Sequence, residues 1–411
     1  MRIYLAYALL GMPLAFFALP LYVHVPKLYA DNLGLPLASV GLVLLGARLI
    51  DAVLDPLIGR WSDGAHSRKL LLGLAVPLLM LGWALLFIPP PEAGLIWLTL
   101  GLFVAYAGYS LATINYQAWG AEFPADENGR LQVSAWREGA ALIGVMLAAA
   151  LPSLLADELP RGLYYLSWLF VPLLLIAVFL ALANVPAAAT TSARPPSPPV
   201  WQVFRSPTFV RLLLVYALNG IAATVPATLV LFYVSDVLQA EAWSGVFLLL
   251  YFLAGALAMP FWVGAAARHG RVRCWLLAMG VAICSFAAAP FLGAGDVLFF
   301  ALVCIASGAA LGADLALPPA LLAEHVARHG QAGASFGWWT AVTKLNLALA
   351  AGISLPLLAL LGYAPGATNA AGNTALAWVY GGLPLLLKLL ACALLWFGRQ
   401  PLRILDEGKF S

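Results

Sequence analysis

Charge is scarce in this sequence. Asp, Glu, Lys and Arg make up 9% of its 411 residues, where a soluble domain carries roughly 25%. With 63% of residues hydrophobic, that shortage excludes a water-soluble globular chain and points to a polytopic membrane protein. Cysteine is also sparse. Cys274, Cys284, Cys304 and Cys392 each stand alone in an apolar stretch, a pattern that gives neither a disulfide framework nor a thiolate metal site and reads as buried packing. The phosphate-cradling pattern Gly-x4-Gly-Lys-Ser/Thr is missing, so nothing supports ATP-driven work. No cofactor, resident metal or nucleic-acid partner is expected. The partner expected at this point is the lipid bilayer, around a monomer.

What is abundant is long apolar runs. About 20 apolar residues cross a bilayer as a helix, and twelve such spans fit. Their approximate positions are 4–28, 36–61, 70–89, 94–122, 132–155, 162–184, 207–235, 242–266, 272–292, 296–323, 334–361 and 376–398. The first, with Pro13 and Pro20 inside it, is too long for a signal peptide and reads as a transmembrane helix. The longest polar break, with the run Pro195-Pro196-Ser197-Pro198-Pro199, follows the sixth span and has no means of packing a core. The expected architecture is therefore all-α. It has a six-helix bundle over 1–186, a Pro-rich linker over 187–206, a second bundle over 207–398 and a tail over 399–411.

Orientation follows from Lys and Arg, which favour the cytoplasmic side. The ends and even-numbered connectors hold most of them, including Arg2, Arg60, Arg68, Lys69, Arg130, Arg205, Arg268, Arg271, Arg273 and Arg328. The odd-numbered connectors hold Lys27 and Arg161. Both termini and the linker are expected in the cytoplasm, and the membrane is expected to be a bacterial cytoplasmic one. The halves also echo each other. Pro56 and Pro260, Glu122 and Glu324, and Arg137 and Lys344 fall at matching places, as in a parallel repeat with a substrate site between repeats near the midplane.

Ionisable residues at membrane depth are costly and mark function by default. Seven qualify by position: Arg48, Asp51, Asp55, Arg137, Glu138, Asp314 and Lys344, with Lys388 as an eighth. Arg48, Asp51 and Asp55 share one helix face through their spacing of three and four. Two carboxylates one turn apart do not both ionise cheaply without a cation. A proton, Na⁺, Arg48 or Lys344 could each serve, and a salt-bridged packing cluster is the alternative. Pro56 loosens the helix beside them. For Asp314, a cavity role and a structural pair with Lys344 fit equally well.

The run Arg48-Leu-x-Asp51-Ala-x-x-Asp55-Pro56-x-x-Gly59-x-x-x-Asp63 resembles the second-helix signature of the glycoside–pentoside–hexuronide:cation symporters, the melibiose-permease-like branch of the major facilitator superfamily. Asn115-x3-Trp119, Arg137 and Thr343-Lys344 agree with it. The resemblance implies a twelve-helix carrier of alternating access, and not an enzyme. It places Asp51 and Asp55 at the cation site, with Arg48 beside them and Lys344 at the cation–substrate junction. It places Trp119 and Arg137 near the sugar site; Asn115, Tyr116, Asp314 and Lys344 are the further candidate substrate-binding residues. Asp63 and Arg68 fall on a gating loop.

Departures from that pattern carry information. A neutral Asn and a Thr that complete the family's cation site fall here at Leu54 and Ala112, with Thr113 one residue away. Na⁺ needs several oxygen ligands, so the expected coupling ion is H⁺, with Na⁺ second. The family's galactoside-binding acids fall at Ala15 and Asn115. A sugar, a glycoside, or a uronate pairing with Arg137 or Lys344 is the expected solute. A lysolipid or other amphiphile on the same scaffold is the alternative. The spacing Asp51-x3-Asp55 also fits a membrane prenyltransferase, but the repeat-related places hold Gly255 and Met259, which supply no second acid cluster.

Overall fold

The computed structural model describes residues 2–65, 67–124, 126–156, 159–187, 199–363 and 370–397. Most of the expected linker and the whole 399–411 tail lie outside the described residues. Thirteen α-helices account for the twelve expected spans: α1 (Arg2–Ala8), α2 (Gly11–Lys27), α3 (Leu37–Gly64), α4 (Arg68–Phe87), α5 (Leu95–Glu122), α6 (Glu127–Leu155), α7 (Leu159–Asn184), α8 (Pro207–Phe232), α9 (Ser244–His269), α10 (Arg271–Ala288), α11 (Val297–His329), α12 (Ala332–Leu360) and α13 (Ala370–Phe397).

The extra helix arises because the first span is broken. Pro13 has no N–H to give the Leu9 carbonyl, and the ladder tightens there. Leu10 N–H bonds the Tyr7 carbonyl at 3.2 Å and Met12 N–H bonds the Leu9 carbonyl at 3.3 Å. Ten stretches among the described residues are long and apolar enough to cross a membrane. The two long helices outside that set are α3 and α6, of 28 and 29 residues. Each spans about 42 Å at 1.5 Å per residue, enough to cross. Both carry charge along their length: Arg48, Asp51, Asp55, Arg60 and Asp63 on one, Glu127, Arg130, Arg137 and Glu138 on the other.

Two compact units form, Met1–Val203 with Val326–Ala341, and Phe204–His325 with Val342–Ser411. The first unit thus takes the last turn of α11 and the first turns of α12. Its core stacks Trp83 on Phe170 at 4.3 Å between ring centres, with the indole N–H satisfied by Ser167 Oγ at 2.7 Å. The second core stacks Tyr233 on Tyr380 at 4.2 Å. The internal repeat reaches detail here. Leu28–Asn32 and Tyr233–Val237 are both π-helical turns ending the first helix of their half. Each carries a fully buried tyrosine: Tyr29 donates to the Leu85 carbonyl at the end of α4, and Tyr233 to the Ala289 carbonyl just past α10.

Candidate functional site

The first cluster is the acid face of α3. Asp51 is 4% exposed and Asp55 is fully buried. Ser110 on α5 donates to Asp51 Oδ1 at 2.8 Å. Thr113, one turn further along α5, is buried, and its Oγ1 has no hydrogen-bond partner among the described residues. So α5 presents hydroxyls in this region although Ala112 itself has none. Next to the acids α3 is packed backbone to backbone. A methyl group on Gly337 of α12 would lie 2.6 Å from the Asp55 carbonyl, and glycines 59 and 333 are in mutual contact too close for any side chain on either. Lys344, also buried, belongs to the second unit.

A second cluster closes one end of α3. Arg68 at the start of α4 pairs with Asp63 at 2.7 Å and with Glu122 at the end of α5 at 2.9 Å. It also donates to Ser62, whose hydroxyl donates to Asn115. Asp63 Oδ1 and Oδ2 accept the backbone N–H groups of Gly333 and Ala334 at 2.6 and 2.9 Å. The first N–H groups of any helix lack partners within it, so Asp63 acts as a cap for α12 supplied by another helix, its charge favoured by the helix dipole. Arg328 and Glu127 add a further pair at 3.1 Å. Asp63 and Arg68, expected together from the sequence, are together.

A third cluster surrounds Arg137 of α6, buried and held by Glu138 Oε1 at 3.1 Å from Nε and 2.9 Å from Nη2. It lies against the break in the first span: a methyl group on Gly11 would meet the Arg137 carbonyl at 2.8 Å and the Tyr116 hydroxyl at 3.4 Å. Tyr7 and Tyr116 stack at 4.3 Å, and each hydroxyl donates to the other's backbone carbonyl, at 2.7 and 2.8 Å.

The structure redistributes the substrate residues expected from the sequence. Tyr116 stands with Arg137. Asn115, next in sequence but about 100° round the helix, belongs to the Arg68 cluster. Trp119 is wholly buried, its indole N–H on the Pro186 carbonyl at 2.8 Å and Lys69 over its ring at 5.5 Å, so here it packs the end of α5. Asp314, expected in a cavity or beside Lys344, has both carboxylate oxygens engaged within the second unit. Trp275 Nε1 donates to Oδ1 at 2.8 Å and Lys388 Nζ to Oδ2 at 3.0 Å, while Lys388 also donates to Asn219 at 2.7 Å. Trp338 donates to the Val200 carbonyl at 3.1 Å, and its ring lies tilted against Trp201 at 5.4 Å between centres. Sequence reasoning missed Ser110, Ser62, Tyr7 and Asn219. The only signal they gave was a small polar or tyrosine residue in an apolar helix.

Comparison with known proteins bears on these clusters. The family model described as MFS/sugar transport protein matches residues 3–400. The chain belongs to that family. It is therefore a major facilitator transporter and a multi-pass integral membrane protein, not an enzyme. Among curated relatives of this family member is a Salmonella typhimurium protein named for 2,3-dihydroxypropane-1-sulfonate export. It is 26% identical over 382 residues, covering 84% of this chain and 81% of that one. A second, named for sulfoquinovose import in the same organism, is 28% identical over 135 residues, 29% of this chain and 28% of that one. Among solved structures, a bacterial homologue of the iron transporter ferroportin in an outward-facing state superposes with a TM-score of 0.74 at 16% identity, over 96% of this chain and 98% of that one. That likeness shows the fold.

Proposed function

We propose that this carrier couples uptake or release of a small polyhydroxylated organic anion, a sugar-like sulfonate or carboxylate, to a proton by alternating access. The observation that carries the substrate class is Arg137: a buried guanidinium, oriented by Glu138, beside a broken helix whose backbone is bridged by Tyr7 and Tyr116. Guanidinium forks match planar carboxylates and tetrahedral sulfonates through paired N–H donors, and tyrosine and carboxylate groups serve sugar hydroxyls. The named activities of the two Salmonella relatives, both sulfonates with hydroxyl groups, fit that reading.

Proton coupling is supported by the ligand chemistry around Asp51 and Asp55. Asp51 accepts a hydrogen bond from Ser110, and a buried carboxylate takes a proton on one lone pair, whereas Na⁺ calls for several oxygen ligands. The cap of Asp63 on α12, with Arg68 and Glu122, is read as the latch of one access state, facing the cytoplasm of a bacterial cell together with both termini.

Uptake of labelled 2,3-dihydroxypropane-1-sulfonate, sulfoquinovose, glucuronate and neutral fucose into proteoliposomes tests the substrate class. An anion should be accumulated and fucose should not; preference for fucose would sink the reading.

A further inference from the structure

Inside the second unit, residues of α8, α9, α10, α11 and α13 line a cavity of about 130 Å³. It lies toward the ends at which α9, α11 and α13 begin. Phe247, Ser307 and Tyr380 stand in the first turns of those helices, roughly 5 to 15 Å along them at 1.5 Å per residue. The rings of Phe247, Phe252 and Phe286 form much of its wall, and none of the described residues that line it is charged. A backbone contact holds α9 against α11 beside it: a methyl group on Gly308 would overlap the Tyr251 carbonyl.

The polar side chains on this wall are Tyr251, Tyr380, Ser307 and Cys304. Ser307 donates its hydroxyl to the Val303 carbonyl at 2.7 Å. The hydroxyls of Tyr251 and Tyr380 have no hydrogen-bond partner among the described residues, although Tyr380 is only 4% exposed. A buried phenol ordinarily finds an acceptor. Tyr233, stacked on Tyr380, does so: its hydroxyl donates to the Ala289 carbonyl at 2.6 Å. Two spare O–H donors thus line one uncharged, largely aromatic space.

That combination selects its occupant. An ammonium, carboxylate or sulfonate would enter with no counter-charge and lose its hydration. A hydrocarbon would fill the space and leave both donors unmet. A neutral ring with an acceptor oxygen meets both demands. An apolar cavity of 150 Å³ holds benzene, so this one takes a single six-membered ring. We propose that the cavity binds a small neutral cyclic ketone, its oxygen accepting from Tyr251 and Tyr380 and its ring among the phenylalanines. The site offers no cation to the organic anion proposed for transport, so it is separate from the solute site, and its occupancy does not depend on that reading.

The probe is cyclohexanone, with cyclohexylammonium as a charged counterpart of equal size, titrated against the purified full-length protein in detergent. Thermal unfolding reports binding. Modification of Cys304 by methyl methanethiosulfonate, followed by peptide mass spectrometry, reports where the ligand sits. Cyclohexanone should raise the unfolding temperature and slow modification of Cys304; the ammonium should do neither. Tyr251→Phe and Tyr380→Phe should each weaken ketone binding about three- to tenfold, the usual effect of one hydrogen bond. Neither hydroxyl bonds within the protein, so both variants should unfold at the wild-type temperature or above it. Tyr233→Phe, which loses its bond to Ala289, should unfold lower. Three results each overturn the proposal: no difference between ketone and ammonium, wild-type ketone affinity in the double Tyr251→Phe, Tyr380→Phe variant, or ketone stabilisation that leaves Cys304 modification unchanged.

Discussion

At the scale of single residues, the proposed chemistry rests on a few ionisable side chains that lipid would otherwise exclude. Asp51 and Asp55 carry the proposed proton. Asp51→Asn and Asp55→Asn should each abolish accumulation of solute against its gradient, while exchange of labelled for unlabelled solute persists, because a neutral amide mimics the protonated acid. Intact accumulation in both variants would remove the acids from coupling. Arg137 makes a different claim. Lysine in its place retains the charge for Glu138 but loses the two-pronged geometry, so Arg137→Lys should fold and show a KM for the anion raised about tenfold or more. Arg137→Gln leaves the half-buried Glu138 without its cation and should also lower the thermal stability. A KM unchanged in Arg137→Lys would place the anion elsewhere.

At the scale of elements, α3 carries both the buried acids and the close contact with α12. Its packing on α12 has no room for a Cβ at Gly59 or Gly333, and Asp63 ties the same contact electrostatically. Gly333→Ala should therefore separate the helices. A cysteine pair across this contact should crosslink far less in that background, with transport falling steeply. Asp63→Ala leaves the backbone fit and removes the cap, a loss of about 1 kcal/mol or somewhat more, and should weaken crosslinking only partly. In the second unit the Asp314–Lys388 pair predicts an asymmetric result. Lys388→Met strands a buried carboxylate and should destabilise by about 3–5 kcal/mol, whereas Asp314→Asn with Lys388→Met should recover most of that in thermal unfolding. A double variant no better than the single would mean the two charges do not serve each other. These cross-helix partners explain where reading the sequence stopped. The helices themselves were legible because apolar run length is a local property, and the shared face of Arg48, Asp51 and Asp55 follows from spacing alone. The partners Ser110, Tyr116 for Tyr7, and Lys388 for Asp314 lie 59, 109 and 74 residues away, and no local pattern encodes such a meeting. Helix phase decided the rest: Asn115 and Tyr116 are neighbours in sequence and serve different clusters.

At the scale of the whole molecule, the two units repeat one plan but differ in how they treat charge. Both halves end their first helix in a π-turn with a buried tyrosine, yet Asp51 and Asp55 of the first have Gly255 and Met259 as their counterparts in the second, where Asp314 is held by a lysine and an indole. The proposed coupling acids thus lie in one half, and the proposal predicts that a single cation moves per solute. That argument yields a measurement on the intact carrier. In proteoliposomes with acid outside and alkaline inside, an anionic solute carried with one proton moves as a neutral pair, so accumulation should follow the pH difference, collapse with a protonophore, and respond little to membrane potential imposed at equal pH. An inward Na⁺ gradient at constant pH should add nothing. Accumulation that needs Na⁺ and ignores the pH difference would transfer Asp51 and Asp55 to metal coordination, with the Thr113 hydroxyl as the additional oxygen then required.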